Sequence, residues 1–187
     1  SNARSRSLTH LLRSKYNAIL STSKSINNDN SLLNCRINGL TNKSPDLIIL
    51  DRNLIIKKNL SIFKMNINRK MYLYTTKNNK KKIKWLKKNN VKVIIIKKMN
   101  SKEDFDRLFK SFIKLNFSRV LIESGLTFIN FLISVKLLNN IYIFKTNFNL
   151  NNNGSNNSST KLLKKIKLKN KLKVFLDNDN AYFERLN

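Results

Sequence analysis

The chain has 187 residues, with 38 Lys+Arg against 10 Asp+Glu and a formal net charge of +28. That length supports one domain with a real core and leaves little room for a second. No stretch approaches the roughly 18 to 20 apolar residues that cross a bilayer, and no signal peptide is visible, so a soluble, cytoplasmic protein is expected.

Ser1-Asn2-Ala3 looks like the scar of a cleaved tag, so one α/β domain is expected over residues 4–187. Leu8, Leu11 and Leu12 fall at helical spacing within Arg6 to Lys15, and Ala18-Ile19-Leu20 follows as a short strand. Polar Ser21 to Asn34 reads as a loop or short helix. Strands are expected at Leu47 to Leu50, ending in Asp51-Arg52, and at Met71 to Thr75. Lys80 to Lys88 carries Ile83 and Leu86 on one side and precedes the apolar strand Val91 to Ile96. Ser101 is placed to cap a helix over Asp104 to Leu115, in which Phe105, Leu108, Phe109 and Phe112 recur at spacings of three and four. One further strand is expected at Asn140 to Thr146. Residues 147–160 are almost all Asn and Ser, a low-complexity loop expected to be mobile. Leu172 to Leu176 and Ala181 to Leu186, joined by the turn Asp177 to Asn180, predict an antiparallel hairpin at the edge of the sheet. The alternation predicts a three-layer α/β domain with a mainly parallel sheet.

Chemistry concentrates at few positions. Cys35 and His10 are the only residues of their types, without metal-ligand spacing, so both read as structural and no metal is expected. The excess Lys is spread along the whole chain in company with Asn and Ile, all encoded by A/T-rich codons. Runs such as Lys80-Lys81-Lys82 and Lys164-Lys165 therefore read as solvated faces. The stretch RVLIESGLTFINFLI, Arg119 to Ile133, sets the carboxylate Glu123 between a short apolar strand, Val120 to Ile122, and a helix over Thr127 to Val135. Parallel sheets bind ligands at such strand-to-helix turns, where backbone N–H groups face outward to meet anions.

Three segments together carry a resemblance: LLRSKYNAILSTSKSINNDNSLLNCR (Leu11 to Arg36), LIILDRNLII (Leu47 to Ile56) and VLIESGLTFINFLI. They resemble the reductase domain of the bifunctional riboflavin-biosynthesis deaminase/reductase, which has a dihydrofolate reductase-like fold. The likeness runs from Leu11 to about Thr146, and family domains begin with a strand that precedes the part seen here, so a sheet lacking that first strand is expected.

The resemblance implies NADPH-dependent reduction of 5-amino-6-(5-phosphoribosylamino)uracil to its ribityl form. It places Arg13, Leu33 and Arg36 on the substrate, the two arginines as a phosphate clamp. Ser25, Asp29 and Arg52 fall at cofactor positions. Glu123 aligns with the glutamate that contacts the substrate and is the candidate catalytic carboxylate, while Gly125, Leu126, Thr127, Phe128 and Ile129 align with the cofactor loop and helix start. Hydride transfer asks the protein mainly to hold two carbons within about 3 to 3.5 Å and exclude water, so no side-chain nucleophile is needed. A homodimer is implied too, with Ile141-Tyr142-Ile143-Phe144 as a candidate interface. Two other readings compete: a basic nucleic-acid-binding, ribosome-associated protein, and a catalytically silent reductase-like domain. An RNA-binding surface gains nothing from Asp29, Asp51 and Glu123.

Overall fold

The computed structural model describes residues 2–65, 67–146 and 165–186, and the expected Asn-rich loop at 147–160 lies outside them. The chain divides into two compact units: His10–Ser124, and Ser1–Thr9 with Gly125–Asn187. Helix α1 (Ala3–Ser14) contributes residues to both.

The first unit alternates β1 (Ala18–Thr22), α2 (Ser23–Asp29), β2 (Asp46–Leu50), α3 (Ser61–Lys64), β3 (Met71–Thr75), α4 (Lys80–Lys88), β4 (Val91–Ile95), α5 (Lys102–Ile113) and β5 (Val120–Ile122). Its five strands form one sheet in the order β4-β3-β2-β1-β5, and every pairing is parallel. A parallel sheet is covered on both faces, which is why its strands read as nearly unbroken apolar runs instead of alternating ones. Ile19, Leu47, Ile49 and Leu73 pack with Ile26 of α2 and with Ile83 and Leu86 of α4 in one buried cluster. On the opposite face, Tyr72 meets Phe117 and Tyr74 meets Phe112, edge to face. Three layers result, with α2 and α4 on one side of the sheet and α5 on the other.

Local chemistry fixes the ends of these helices. Ser101 caps α5 through a full capping box: its hydroxyl accepts from the Asp104 N–H, and the Asp104 carboxylate accepts from the Ser101 N–H. Asn79 caps α4, its Oδ1 accepting from the Lys82 N–H at 3.0 Å. Helix α2 ends at Asn30, whose left-handed backbone (φ 45°) is a conformation asparagine tolerates.

The second unit holds α6 (Leu126–Ser134), β6 (Asn140–Thr146) and β7 (Asp179–Arg185), the strands forming a two-stranded antiparallel sheet. An antiparallel pair was expected, but its membership differs. β7 pairs along its whole length with β6, while the segment expected as its neighbour, Leu172 to Leu176, forms no ladder. Only an isolated bridge, Lys171 with Tyr182, joins that stretch to β7. Val174 and Phe175 are exposed there, so the apolar run mimics a strand without burying one.

Candidate functional site

Chain order and strand order part company beside β1. From β1 the chain steps outward through β2 and β3 to β4, then returns to add β5 on the other flank. The carboxyl ends of β1 and β5 thus border a topological switch point, the place where open α/β sheets receive ligands. Three hydroxyls meet there. Thr22 Oγ1, at the end of β1, lies 3.0 Å from Ser25 Oγ and 3.1 Å from Ser124 Oγ, and the two serine oxygens are 3.2 Å apart. Thr22 also caps α2, accepting from the Ser25 N–H. A hydroxyl can donate and accept, so such a triangle suits phosphate oxygens.

Glu123 extends the β1–β5 ladder by one bond, its N–H donating to the Leu20 carbonyl at 3.0 Å. Its carboxylate accepts a two-pronged contact from Arg13: Nε to Oε1 at 2.8 Å and Nη2 to Oε2 at 2.7 Å. This pair joins residues 110 apart in sequence, with side chains only 12% and 25% exposed, so salt screens it weakly. Arg13 Nη1 donates to the Asn34 carbonyl at 3.0 Å, and His10 Nδ1 lies 2.9 Å from the same oxygen. Arg36 Nε in turn donates to His10 Nε2 at 3.3 Å. Beside them the Asn34 side-chain oxygen is buried with no hydrogen-bond partner.

The loop carrying Asn34 is held from a second direction. Arg69 donates from Nη1 to the Leu33 carbonyl at 2.7 Å and from Nη2 to the Leu32 carbonyl. Leu33 sits there in a left-handed conformation, φ 51°, which is strained for a leucine. Burial, aided by the charge of Arg13, pulls the Arg69 guanidinium down to about 10, still cationic at neutral pH. Burial also lowers the His10 imidazole below its ordinary value; the charges of Arg13 and Arg36 add to this, while the Asn34 carbonyl and Glu123 oppose it.

The structure thus brings Arg13, Arg36 and Glu123 into one network, although Glu123 is already engaged by Arg13 where the sequence reading left it free for a ligand. Leu33 adjoins that network through its backbone, because its own side chain is buried in the apolar cluster. Ser25 belongs to the hydroxyl triangle. Asp29 is exposed at the end of α2. Arg52 follows the carboxyl end of β2, exposed, with Nη1 donating to Asn100 Oδ1 at 2.5 Å. The loop around it is shaped by Asp51, whose carboxylate accepts from the Ser23 hydroxyl and from the Ile55 and Ile56 N–H groups, each at 2.8 Å. In the other unit, Gly125 is the N-cap of α6, and Leu126, Thr127, Phe128 and Ile129 form its first turn.

Sequence reasoning missed the parts played by His10, Asn34 and Arg69. For His10 a signal was available: it stands three residues before Arg13 on one helix, and such a pair shares a face. Among the described residues no group of three or more His, Cys, Asp or Glu could hold a metal ion, and no helix is long and apolar enough to cross a membrane.

The model of the RibD C-terminal domain family matches residues 1–170. Among solved structures, the chain is similar to the riboflavin biosynthesis reductase Rib7 of Saccharomyces cerevisiae, at 21% identity and a TM-score of 0.74, over 98% of this chain and 81% of that one. It is similar also to a Thermotoga maritima diaminohydroxyphosphoribosylaminopyrimidine deaminase/5-amino-6-(5-phosphoribosylamino)uracil reductase, at 17% identity and a TM-score of 0.73, over 98% of this chain and 49% of that one. A pyrimidine reductase-like protein of Corynebacterium diphtheriae matches at 12% identity and a TM-score of 0.74, over 99% and 82%. Identities this low establish a shared fold, and the chain spans about half the length of the two-activity Thermotoga protein. No curated protein matches the sequence.

Proposed function

The chain belongs to the RibD C-terminal domain family, and from that premise we propose that it reduces 5-amino-6-(5-phosphoribosylamino)uracil to the ribitylamino form with NADPH, a step in riboflavin biosynthesis. The observation that supports this most directly is the linkage of Arg13, Arg36 and Glu123 through His10 and the Asn34 carbonyl.

Two guanidinium groups in one network suit a sugar phosphate, because each fork can donate twice to phosphate oxygens. Arg13, Leu33 and Arg36 take the substrate role, Leu33 through its backbone. Glu123 serves twice in this reading: it fixes Arg13, and its remaining lone pairs accept donors from the substrate. The buried Asn34 side-chain oxygen is an acceptor left without a partner, which a donor such as a ring N–H or a ribose hydroxyl would satisfy.

The residues present fit a nicotinamide dinucleotide. Three clustered hydroxyls, Ser25 among them, can turn from one another to donate to a pyrophosphate at the switch point. Arg52 offers a fixed charge that favours the extra phosphate of NADPH over NADH. Asp29 and the residues Gly125, Leu126, Thr127, Phe128 and Ile129 complete the cofactor set by family correspondence. When bound, the cofactor supplies the hydride that reduces the ribose carbon; the protein's part is to orient the two partners and keep water out. Pairing with a second copy is part of the proposal. Ile141, Tyr142, Ile143 and Phe144 of β6 are only half-buried in the single chain and suit such an interface.

NADPH fluorescence titration combined with a turnover assay on the phosphoribosylamino-pyrimidine tests the reading. Expected are micromolar cofactor binding that is lost in Arg52→Ala, and a substrate KM raised at least tenfold in Arg36→Ala with turnover at saturation still measurable. Absent cofactor binding together with salt-sensitive retention of RNA would point instead to a nucleic-acid role.

A further inference from the structure

His10 is bonded on both ring nitrogens, and its two shorter bonds agree on one protonation state. The longer contact from Arg13 Nη1 to Nδ1, 3.4 Å, yields because that amino group already donates to the Asn34 carbonyl at 3.0 Å. Nδ1 lies 2.9 Å from the Asn34 carbonyl, which can only accept, so Nδ1 carries the hydrogen. Nε2 lies 3.3 Å from Arg36 Nε, which can only donate, so Nε2 is bare. Adding a second proton would set an N–H against an N–H and a cation against a cation. Arg13 Nη1, 3.4 Å from Nδ1, adds a second guanidinium on the same side. Of the charged groups around the ring, Arg13 on α1 and Arg36 on the loop disfavour its protonation, and only Glu123 after β5 favours it.

This arrangement also constrains Arg36. The arginine is exposed, and a free exposed guanidinium on a flexible stem must surrender rotamer freedom before it can grip an oxyanion. With Nε taken by His10, its two terminal amino groups are left to form the fork. The backbone beneath is fixed by Arg69, through the carbonyls of Leu32 and Leu33.

We propose that His10, as the neutral Nδ1–H tautomer, is a positioning residue that pre-orients Arg36 for the phosphate of the substrate. This rests on the reading of Arg36 as a phosphate ligand. Its contacts are with Arg36, Arg13 and the Asn34 carbonyl, so on this proposal its removal weakens binding of phosphorylated substrate and leaves the chemical step alone.

The test has two arms. The first needs no substrate: the chain contains a single histidine, so one set of imidazole signals in nitrogen-resolved NMR reports the tautomer and the titration without assignment. The expected ring is Nδ1–H, titrating at higher pH in Arg36→Ala; an Nε2–H ring, or a titration indifferent to Arg36→Ala, overturns the proposal. The second arm is a double-mutant cycle on steady-state kinetics. His10→Ala is expected to raise KM about tenfold with kcat within about twofold, the loss of one hydrogen bond to a charged group. The effect should vanish in an Arg36→Ala background, because His10 acts through that arginine. His10→Gln, which offers both a donor and an acceptor, should recover part of the loss and His10→Phe none. Equal effects of His10→Ala with and without Arg36 would mean a general structural role and overturn the proposal. A chain that reduces no pyrimidine while its ring is Nδ1–H and coupled to Arg36 would refute the substrate assignment and leave the positioning role standing.

Discussion

The unit His10–Ser124 and the unit Ser1–Thr9 with Gly125–Asn187 both bury acids, and they use them differently. In the first, Asp51 is 1% exposed and closes the turn after β2, and Asp104 caps α5, beside a sheet whose buried side chains are mostly aliphatic and aromatic. Burial of apolar surface does most of the stabilising there. In the second, the described core is thin, with Leu132, Leu176 and Ala181 buried, and carboxylates of β7 tie the start of α1 and the stretch at Lys169-Asn170 to that strand. Asp179 accepts from the Ser5 hydroxyl at 2.6 Å and the Asn2 N–H at 3.2 Å, and Glu184 accepts from the N–H groups of Lys169 and Asn170 and from Asn170 Nδ2. A region without enough apolar surface can be specified by hydrogen bonds to charge, but it inherits their sensitivity to pH.

The comparison breaks if the first unit proves insensitive to its core. Leu73→Ala, fully buried on β3, should cost about 2 to 5 kcal/mol in urea unfolding, the usual range for a buried leucine. Asp51→Ala strands three donors at once and should cost roughly 3 kcal/mol, with Asp51→Asn milder because an acceptor remains. Ser101→Ala removes half of the α5 capping box and should cost about 1 kcal/mol.

Smallest, and most discriminating, are the responses to pH. Hydrogen bonds to Ser5 and Asn2 hold the Asp179 carboxyl below its ordinary value, and bonds to Asn170 and Lys169 do the same for Glu184. A lowered acid stabilises fully above its unfolded value, near 4, and that contribution is lost as pH falls through the folded one. Protection of the Lys169 and Asn170 amides, relative to their intrinsic exchange rates, should therefore fall in acid, and Glu184→Gln should flatten the response. His10 carries the opposite charge logic at higher pH. Its folded value is lowered, so the unfolded chain takes the proton first and stability declines as pH drops below about 6.5. In the first unit that decline should be absent from His10→Gln.

Legibility of the fold followed locality. Strands at Met71–Thr75, Val120–Ile122 and Asn140–Thr146 and the helix Lys80–Lys88 match the sequence expectation residue for residue, because an apolar run or an amphipathic repeat declares itself within a few positions. The single-turn helix Ser61–Lys64 is too short to leave a period. The partner of β7 was misjudged because strand pairing is a long-range choice: Leu172 to Leu176 is near in sequence and apolar, but β6 is what binds. At the site, family resemblance singled out Arg13, Arg36 and Glu123, while their wiring was invisible. Nothing local announces that Arg13 reaches a carboxylate 110 residues away, or that a lone histidine stands between two arginines.

Calorimetric titration of wild type and Arg36→Ala, each with the phosphorylated pyrimidine and with its dephosphorylated counterpart, addresses the arginine network most directly. The expected outcome is at least tenfold weaker binding of the phosphorylated compound to Arg36→Ala, against no change for the dephosphorylated one. If Arg36→Ala binds both compounds as wild type does, the network around Glu123 is not where the phosphate sits.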